Sequence, residues 1–172
     1  MHHLLSRYLG AALLALPCLF ARAAEPEPAP ETAARIEVAS HWRLTASPYT
    51  VHFNYSDEHR PVWAIGMELQ RADRWLFGGS FFNNSFGQPS GYVYVGQRYE
   101  GLLDMPQLFW QWSAGMLYGY RGEFQDKVPL NYNGFSPGAL LSLGWQFNRQ
   151  FSSQINTLGN SGLMWQLSWD FH

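Results

Sequence analysis

The sequence predicts an all-β fold, an eight-stranded antiparallel transmembrane β-barrel. Three observations predict it. From residue 42 onward, apolar and polar side chains alternate with a period of two, the mark of strands whose faces meet different surroundings. The apolar face carries most of the eight tryptophans, often near strand ends, where an aromatic girdle at a lipid interface would place them. No helical pattern of useful length competes with the strands in this region.

Strand one sets Tyr49, Val51, Phe53 and Tyr55 against Thr50, His52 and Asn54. Strand two sets Trp63, Ile65, Met67 and Leu69 against Ala64, Gly66, Glu68 and Gln70. Strands three (about 74–84) and four (about 91–98) are more weakly patterned, as is strand seven (about 150–157). In strand five, Trp110, Trp112, Ala114, Met116 and Tyr118 oppose Gln111, Ser113 and Gly115. Strand six alternates Leu141, Leu143, Trp145 and Phe147 with Ser142, Gly144 and Gln146. Strand eight is the clearest, with Leu163, Trp165, Leu167, Trp169 and Phe171 on one face and Gln166, Ser168, Asp170 and His172 on the other.

The segment before the strands sets the compartment. Residues 1–23 carry Arg7, an apolar run from Leu9 to Phe20 and an Ala-x-Ala ending at Ala23, the pattern of a cleaved signal peptide too short to span a membrane. The single cysteine, Cys18, leaves with it, so the mature chain has no disulfide and no thiolate metal site. Losing Arg7 and Arg22 leaves 9 basic against 13 acidic residues without a basic stripe, so nucleic acid is not an expected partner. Residues 24–41 form a Pro-rich, acidic leader in which ETAARIEVAS has the makings of a short helix with a thin apolar stripe. The barrel takes up 42–172.

Alternation alone does not say which face is inside. A soluble barrel of the lipocalin kind turns its apolar face inward, and a membrane barrel turns it outward. The aromatic girdle, a Gly, Ser, Gln, Asn and Glu face suited to a packed polar lumen, and the absence of disulfides favour outward. The expected location is therefore the bacterial outer membrane. With both chain ends on the periplasmic side, RADR, YEGLLDMPQ and NRQ are the inner turns, and SDEHRP, NNSFGQPS, GEFQDKVPLNYNGFSP and NTLGNSG are the outer loops. Eight strands leave no aqueous pore, so general transport is improbable and chemistry at the rim is the better expectation.

At that rim the chain resembles the lipid A palmitoyltransferase family of outer-membrane enzymes, loosely and over about residues 45–172. Pro48 precedes His52 in SPYTVHF, as a Pro precedes a His in that family's first strand. FNNSF stands where the family has a motif like FxDSW, with Asn84 at the aspartate position and Ser85 at the serine. Gly96, in YVYVGQRY, holds the spacing of the glycine that floors the family's acyl-chain pocket. SAGMLYGYR ends at Arg121 as the family's TAGxTAR ends at an arginine, and GNSGLMWQLSWDF resembles its last strand. Two departures stand out: Asn for Asp, and an N-terminal amphipathic helix reduced to ETAARIEVAS at most. The resemblance implies transfer of an acyl chain from a phospholipid to lipid A, with phospholipid and lipid A or lipopolysaccharide as partners, a monomeric barrel and no cofactor. It implies His52, Asn84 and Ser85 as catalytic residues and Gly96 as the chain-length floor.

The residues allow the same chemistry independently. A histidine beside a serine activates a hydroxyl, either the serine's own or that of the lipid acceptor, and an asparagine donates to a developing oxyanion. Pro48 and Pro137 interrupt ladder hydrogen bonds, where a lipid tail would enter sideways. Arg60 and Arg121 suit lipid phosphates. Each feature has a plainer reading: His52 as a hydrogen-bonded lumen residue, Asn83-Asn84-Ser85 as turn chemistry, the glycines as relief in a crowded barrel, His59 as a solvated loop residue. Glu68 is expected to pair with an inward arginine such as Arg98. Asp170 and His172 read as structural. No metal-ligand spacing occurs among the histidines. A lipid A deacylase is the second reading, though its usual His-x-Ser-Asn signature is absent, and a non-catalytic barrel that binds ligands or partners through its loops is the third.

Overall fold

The computed structural model describes residues 39–171 except Tyr55. The predicted signal peptide, the leader with its possible helix up to residue 38, Tyr55 and His172 lie outside the described residues. Eight strands follow one another: β1 His41–His52, β2 Ala64–Gln70, β3 Trp75–Asn83, β4 Pro89–Glu100, β5 Leu108–Tyr118, β6 Phe135–Gln146, β7 Phe151–Thr157 and β8 Gly162–Phe171. Each pairs antiparallel with the next, and β8 returns to β1 to close the barrel. Closure leaves no sheet edge at the level of the pairs, the condition for strands that stand in hydrocarbon. β1 opens earlier than the alternation from Tyr49 suggests, because His41, Arg43, Thr45 and Ser47 point inward between outward Trp42, Leu44 and Ala46.

The polarity of the wall is that of a transmembrane barrel. Tryptophans 42, 63, 75, 145, 165 and 169 stand exposed on the outside with Leu44, Ile65, Phe77, Val93 and Leu141. Inside, the buried residues are mostly serine, glutamine, asparagine and charged groups. A lipocalin-type barrel has the reverse arrangement.

One cross-strand rung holds the interior together. Arg43 faces Glu68 across β1–β2 and Asp170 across β1–β8, so the register alone brings the three to one level. The Arg43 guanidinium donates to Asp170 through Nε and through Nη2 (3.1 Å), and Nη1 lies 3.5 Å from Glu68. Tyr94 donates to the other Glu68 oxygen at 2.8 Å, and Gln111 approaches it at 3.4 Å. Gly78, opposite both Glu68 and Tyr94, leaves the space that the tyrosine ring fills. His41 lies 3.5 Å from Asp170.

Glu68 therefore pairs with Arg43 and not with Arg98. Arg98 lies four residues further along β4 from Tyr94, towards the short-turn end, and its guanidinium takes other partners. Its guanidinium sits 3.4 Å above the Phe109 ring, and its Nε lies 3.3 Å from Glu100. Asp170, read as structural, is the other half of the Arg43 clamp.

The two ends of the barrel differ. Residues 71–74, 101–107 and 147–150 make compact connections at one rim, and the long segments 53–63 and 119–134 rise from the other. His52, the end of β1, belongs to the long-loop rim.

Candidate functional site

The site is assembled by two connections that follow β1 and β3. Asn84 begins the β3–β4 turn and is fully buried. Its Oδ1 accepts from the backbone N–H groups of Phe86 (3.0 Å) and Gln88 (2.9 Å), while its own N–H donates to the Gln88 carbonyl at 3.0 Å. This is the local turn chemistry that makes Asn common in such places. It fixes the position of the next residue, Ser85. The other connection, 53–63, crosses to this turn, where the Arg60 N–H donates to the Ser85 carbonyl at 2.8 Å.

The two connections bring His52 and Ser85 together. His52 Nε2 lies 2.7 Å from Ser85 Oγ, between residues thirty-three apart in sequence. Both are half-buried. That distance lies within the reach a general base needs to take a hydroxyl proton. The His59 ring packs on His52 with centroids 4.3 Å apart, so His59 belongs to the site and is not merely a solvated loop residue.

The Tyr120 phenol lies beside Ser85. Burial pushes the Tyr120 phenol above its ordinary value, although the Ser85 contact pulls the other way, so the tyrosine remains a protonated donor at neutral pH. Phe86 roofs the group: it stacks on Phe124 at 4.4 Å and meets Tyr120 at 6.0 Å and His59 at 5.8 Å. Lys127 lies over its ring and pairs with Glu58 at 3.6 Å, which ties the two long loops together.

Asn84 does two things in this arrangement. Its oxygen is committed to the turn, and its buried Nδ2 has no hydrogen-bond partner among the described residues. Asn84→Ala is expected to cost about 1–3 kcal/mol, because two turn N–H groups lose their acceptor. Urea unfolding in detergent micelles reads that loss, and an unchanged midpoint would contradict the assigned role of Oδ1.

The remaining predicted positions fall into three settings. Arg121 is exposed at the long-loop rim, with its guanidinium 5.7 Å from the Tyr118 ring centroid and its backbone clamped by the Gln88 side chain through bonds of 2.8 and 3.1 Å. Pro48 and Pro137 lie where pairing fails. The β1–β8 register shifts between Ala46 and Tyr49, and β1–β2 pairing stops at Ser47 and Ala64. On the far side, β6 begins at Phe135 but pairs with β7 only from Ser142. The wall thus has two unpaired seams in its long-loop half, one beside each proline.

Gly96 lies on the inward face, opposite Leu76 and Ser113. A side chain there would overlap the Trp112 carbonyl, so the glycine permits the close approach of β4 to β5. It does not border the interior cavity, which holds only ≈ 30 Å³ among Glu68, Tyr94, Gln111, Gln154 and Asn156. That is room for about one water. Leu76, opposite Gly96, is fully buried.

Periodicity could not have signalled His59, Tyr120 or Phe86, which all lie outside the strands. The only hints were a second histidine seven residues after His52 and aromatics flanking the predicted rim.

No protein-family model matches the chain, and no curated protein sequence matches it. Among solved structures, the crystal structure of the N-terminal β-barrel domain of Pseudomonas aeruginosa OprF is similar at a TM-score of 0.40 and 12% identity, over 77% of this chain and 97% of that one. A likeness of that degree carries no argument about chemistry, and the fold rests on the strand order and wall polarity described above.

Proposed function

We propose that this protein is an outer-membrane acyltransferase that moves an acyl chain from a phospholipid to lipid A at the outer leaflet, in the manner of the lipid A palmitoyltransferases it resembles. The observation that carries the proposal is the 2.7 Å pairing of His52 Nε2 with Ser85 Oγ at the long-loop rim. Ser85 attacks the ester carbonyl as its proton passes to His52, and the donor lipid leaves as an alcohol after taking that proton back. A lipid A hydroxyl then gives its proton to His52 and attacks the acyl-serine, and His52 returns that proton to the departing Ser85 oxygen, which restores the pair. Tyr120 and the Asn84 amide are the donors suited to the oxyanion formed in each half. The seams beside Pro48 and Pro137 support lateral traffic of lipid.

A second reading, lipid A deacylation, is favoured by one observation, the filled polar lumen. Hydrolysis needs the Ser85–His52 pair and water but no slot for a transferred chain. Mass spectrometry of lipid A from cells lacking their own acyl-modifying enzymes separates the readings. An added chain that requires Ser85 is the expected result. A lost chain would replace transfer by hydrolysis. An unchanged spectrum from an inserted barrel would reduce FNNSF to a turn.

A further inference from the structure

Most inward glycines of this barrel are forced by contact: side chains at Gly66, Gly96 and Gly115 would strike backbone atoms of neighbouring strands. Gly79 and Gly91 are different. Both point outward, neither has a positive φ, and an added Cβ at either would find its nearest neighbour at an ordinary 3.7 Å. Neither backbone conformation nor packing requires glycine there, so what they provide is empty space on the wall.

That space has a definite shape. Gly79 faces Val93 and Gly91 faces Phe81 across β3–β4, two rungs apart. Large apolar side chains rise around them, notably Met67, Phe81, Val93, Met116 and Tyr118, and together they enclose a trough of ≈ 580 Å³ on the lipid-facing side. The interior cavity is about one-twentieth of that volume. The trough climbs the two strands that the Ser85 turn joins, and Gly91 lies two residues beyond Pro89, where that turn ends. Its upper end is Tyr118, ring to ring with Phe135 at 4.8 Å, and Arg121 stands over Tyr118. An apolar channel capped by an exposed guanidinium is complementary to one acyl chain below one phosphate.

We infer that this trough seats an acyl chain of the phosphate-bearing substrate lipid, with the phosphate on Arg121 and the ester held near Ser85. The inference rests on the proposed role of Ser85 for the identity of the lipid as substrate. It places the chain on the outside of the wall, in a trough of ≈ 580 Å³, and not in the polar interior cavity of ≈ 30 Å³.

The test uses the full barrel in phosphatidylglycerol vesicles containing a trace of the same lipid with a photoactivatable diazirine in its acyl chain. Peptide mapping after illumination is expected to find labelling at Met67, Phe81, Val93 and Met116 at least about fivefold above that at Leu141, Ile155 and Leu167 on the opposite wall. Gly79→Leu with Gly91→Leu should level that difference, and Arg121→Gln should reduce it, whereas Arg121→Lys should retain part of it. Even labelling of both walls in the wild type overturns the trough. Concentrated labelling together with lipid A that never changes in cells sinks the role of Ser85 and the substrate assignment, and leaves a lipid seat alone. Trough-filling variants that fold, lose the labelling and still modify lipid A at the wild-type level show that the seated lipid is not the substrate.

Discussion

Ser85→Ala is expected to lower acyl transfer by about 10⁴-fold or more while the barrel still folds and inserts. The reason is positional. Ser85 contributes its hydroxyl to His52, but the turn that carries it is held by Asn84 and by backbone bonds that alanine leaves intact. His52→Gln tests the other partner. It keeps a hydrogen-bonding side chain beside Ser85 but has no group that can accept and return the proton, and a fall of about 10²–10⁴-fold is expected. Lipid A mass spectrometry gives the activity, and the heat-dependent shift in gel mobility reports the folded barrel. A folded Ser85→Ala protein that acylates at the wild-type rate ends the nucleophile assignment. Loss with Ser85→Ala but not with His52→Gln would leave the serine in place and remove the histidine as its base.

Arg43→Ala is expected to destabilise the barrel by about 3–5 kcal/mol, the largest effect on stability of any single substitution proposed. The arginine is 1% exposed and holds two carboxylates on one rung, so its removal leaves Glu68 and Asp170 buried without the guanidinium that pairs them. Urea unfolding in lipid vesicles measures the loss, and a change under about 1 kcal/mol would show that the rung is not the clamp its geometry suggests. The companion experiment changes the whole set. Arg43→Met with Glu68→Gln and Asp170→Asn removes all three charges, and it should restore most of the lost stability, because the penalty comes from unpaired buried charge and not from the absence of the ion pairs. Neither variant touches Ser85, so each can also be scored for activity.

Together the two predictions separate the ends of the molecule. The rung lies towards the short-turn end and holds the strands in register. The histidine–serine pair lies at the other rim, on connections whose sequences the barrel itself does not dictate. A barrel can therefore be retained while its rim changes chemistry, which is why fold alone says little about activity here.

The strands and their facing were legible because they follow from a period of two. Leu163, Trp165, Leu167, Trp169 and Phe171 can share a face only on an extended strand, with Gln166, Ser168 and Asp170 opposite them, and the tryptophans at strand ends turn that face to lipid. The same rule placed His52 inward at a strand end, and turn chemistry placed Ser85 just past another. What the sequence could not supply was register. Which carboxylate meets which arginine depends on how far neighbouring strands are staggered, and a composition with several inward charges admits more than one pairing. The sequence thus gives Glu68 an inward arginine as partner without saying which, and the β1–β2 ladder makes it Arg43 and not Arg98. The loops were opaque for a related reason. His59, Phe86 and Tyr120 converge on Ser85 from three separate connections, and their meeting is fixed by where the closed wall places the loop ends. By itself, then, the sequence determined a closed barrel, its inside and its outside, since those depend on each residue's own chemistry and a local repeat. Only the tertiary structure decided that His52 touches Ser85, that the lumen is filled and that the open space lies on the outer wall, since those depend on stagger and closure among residues far apart in the chain.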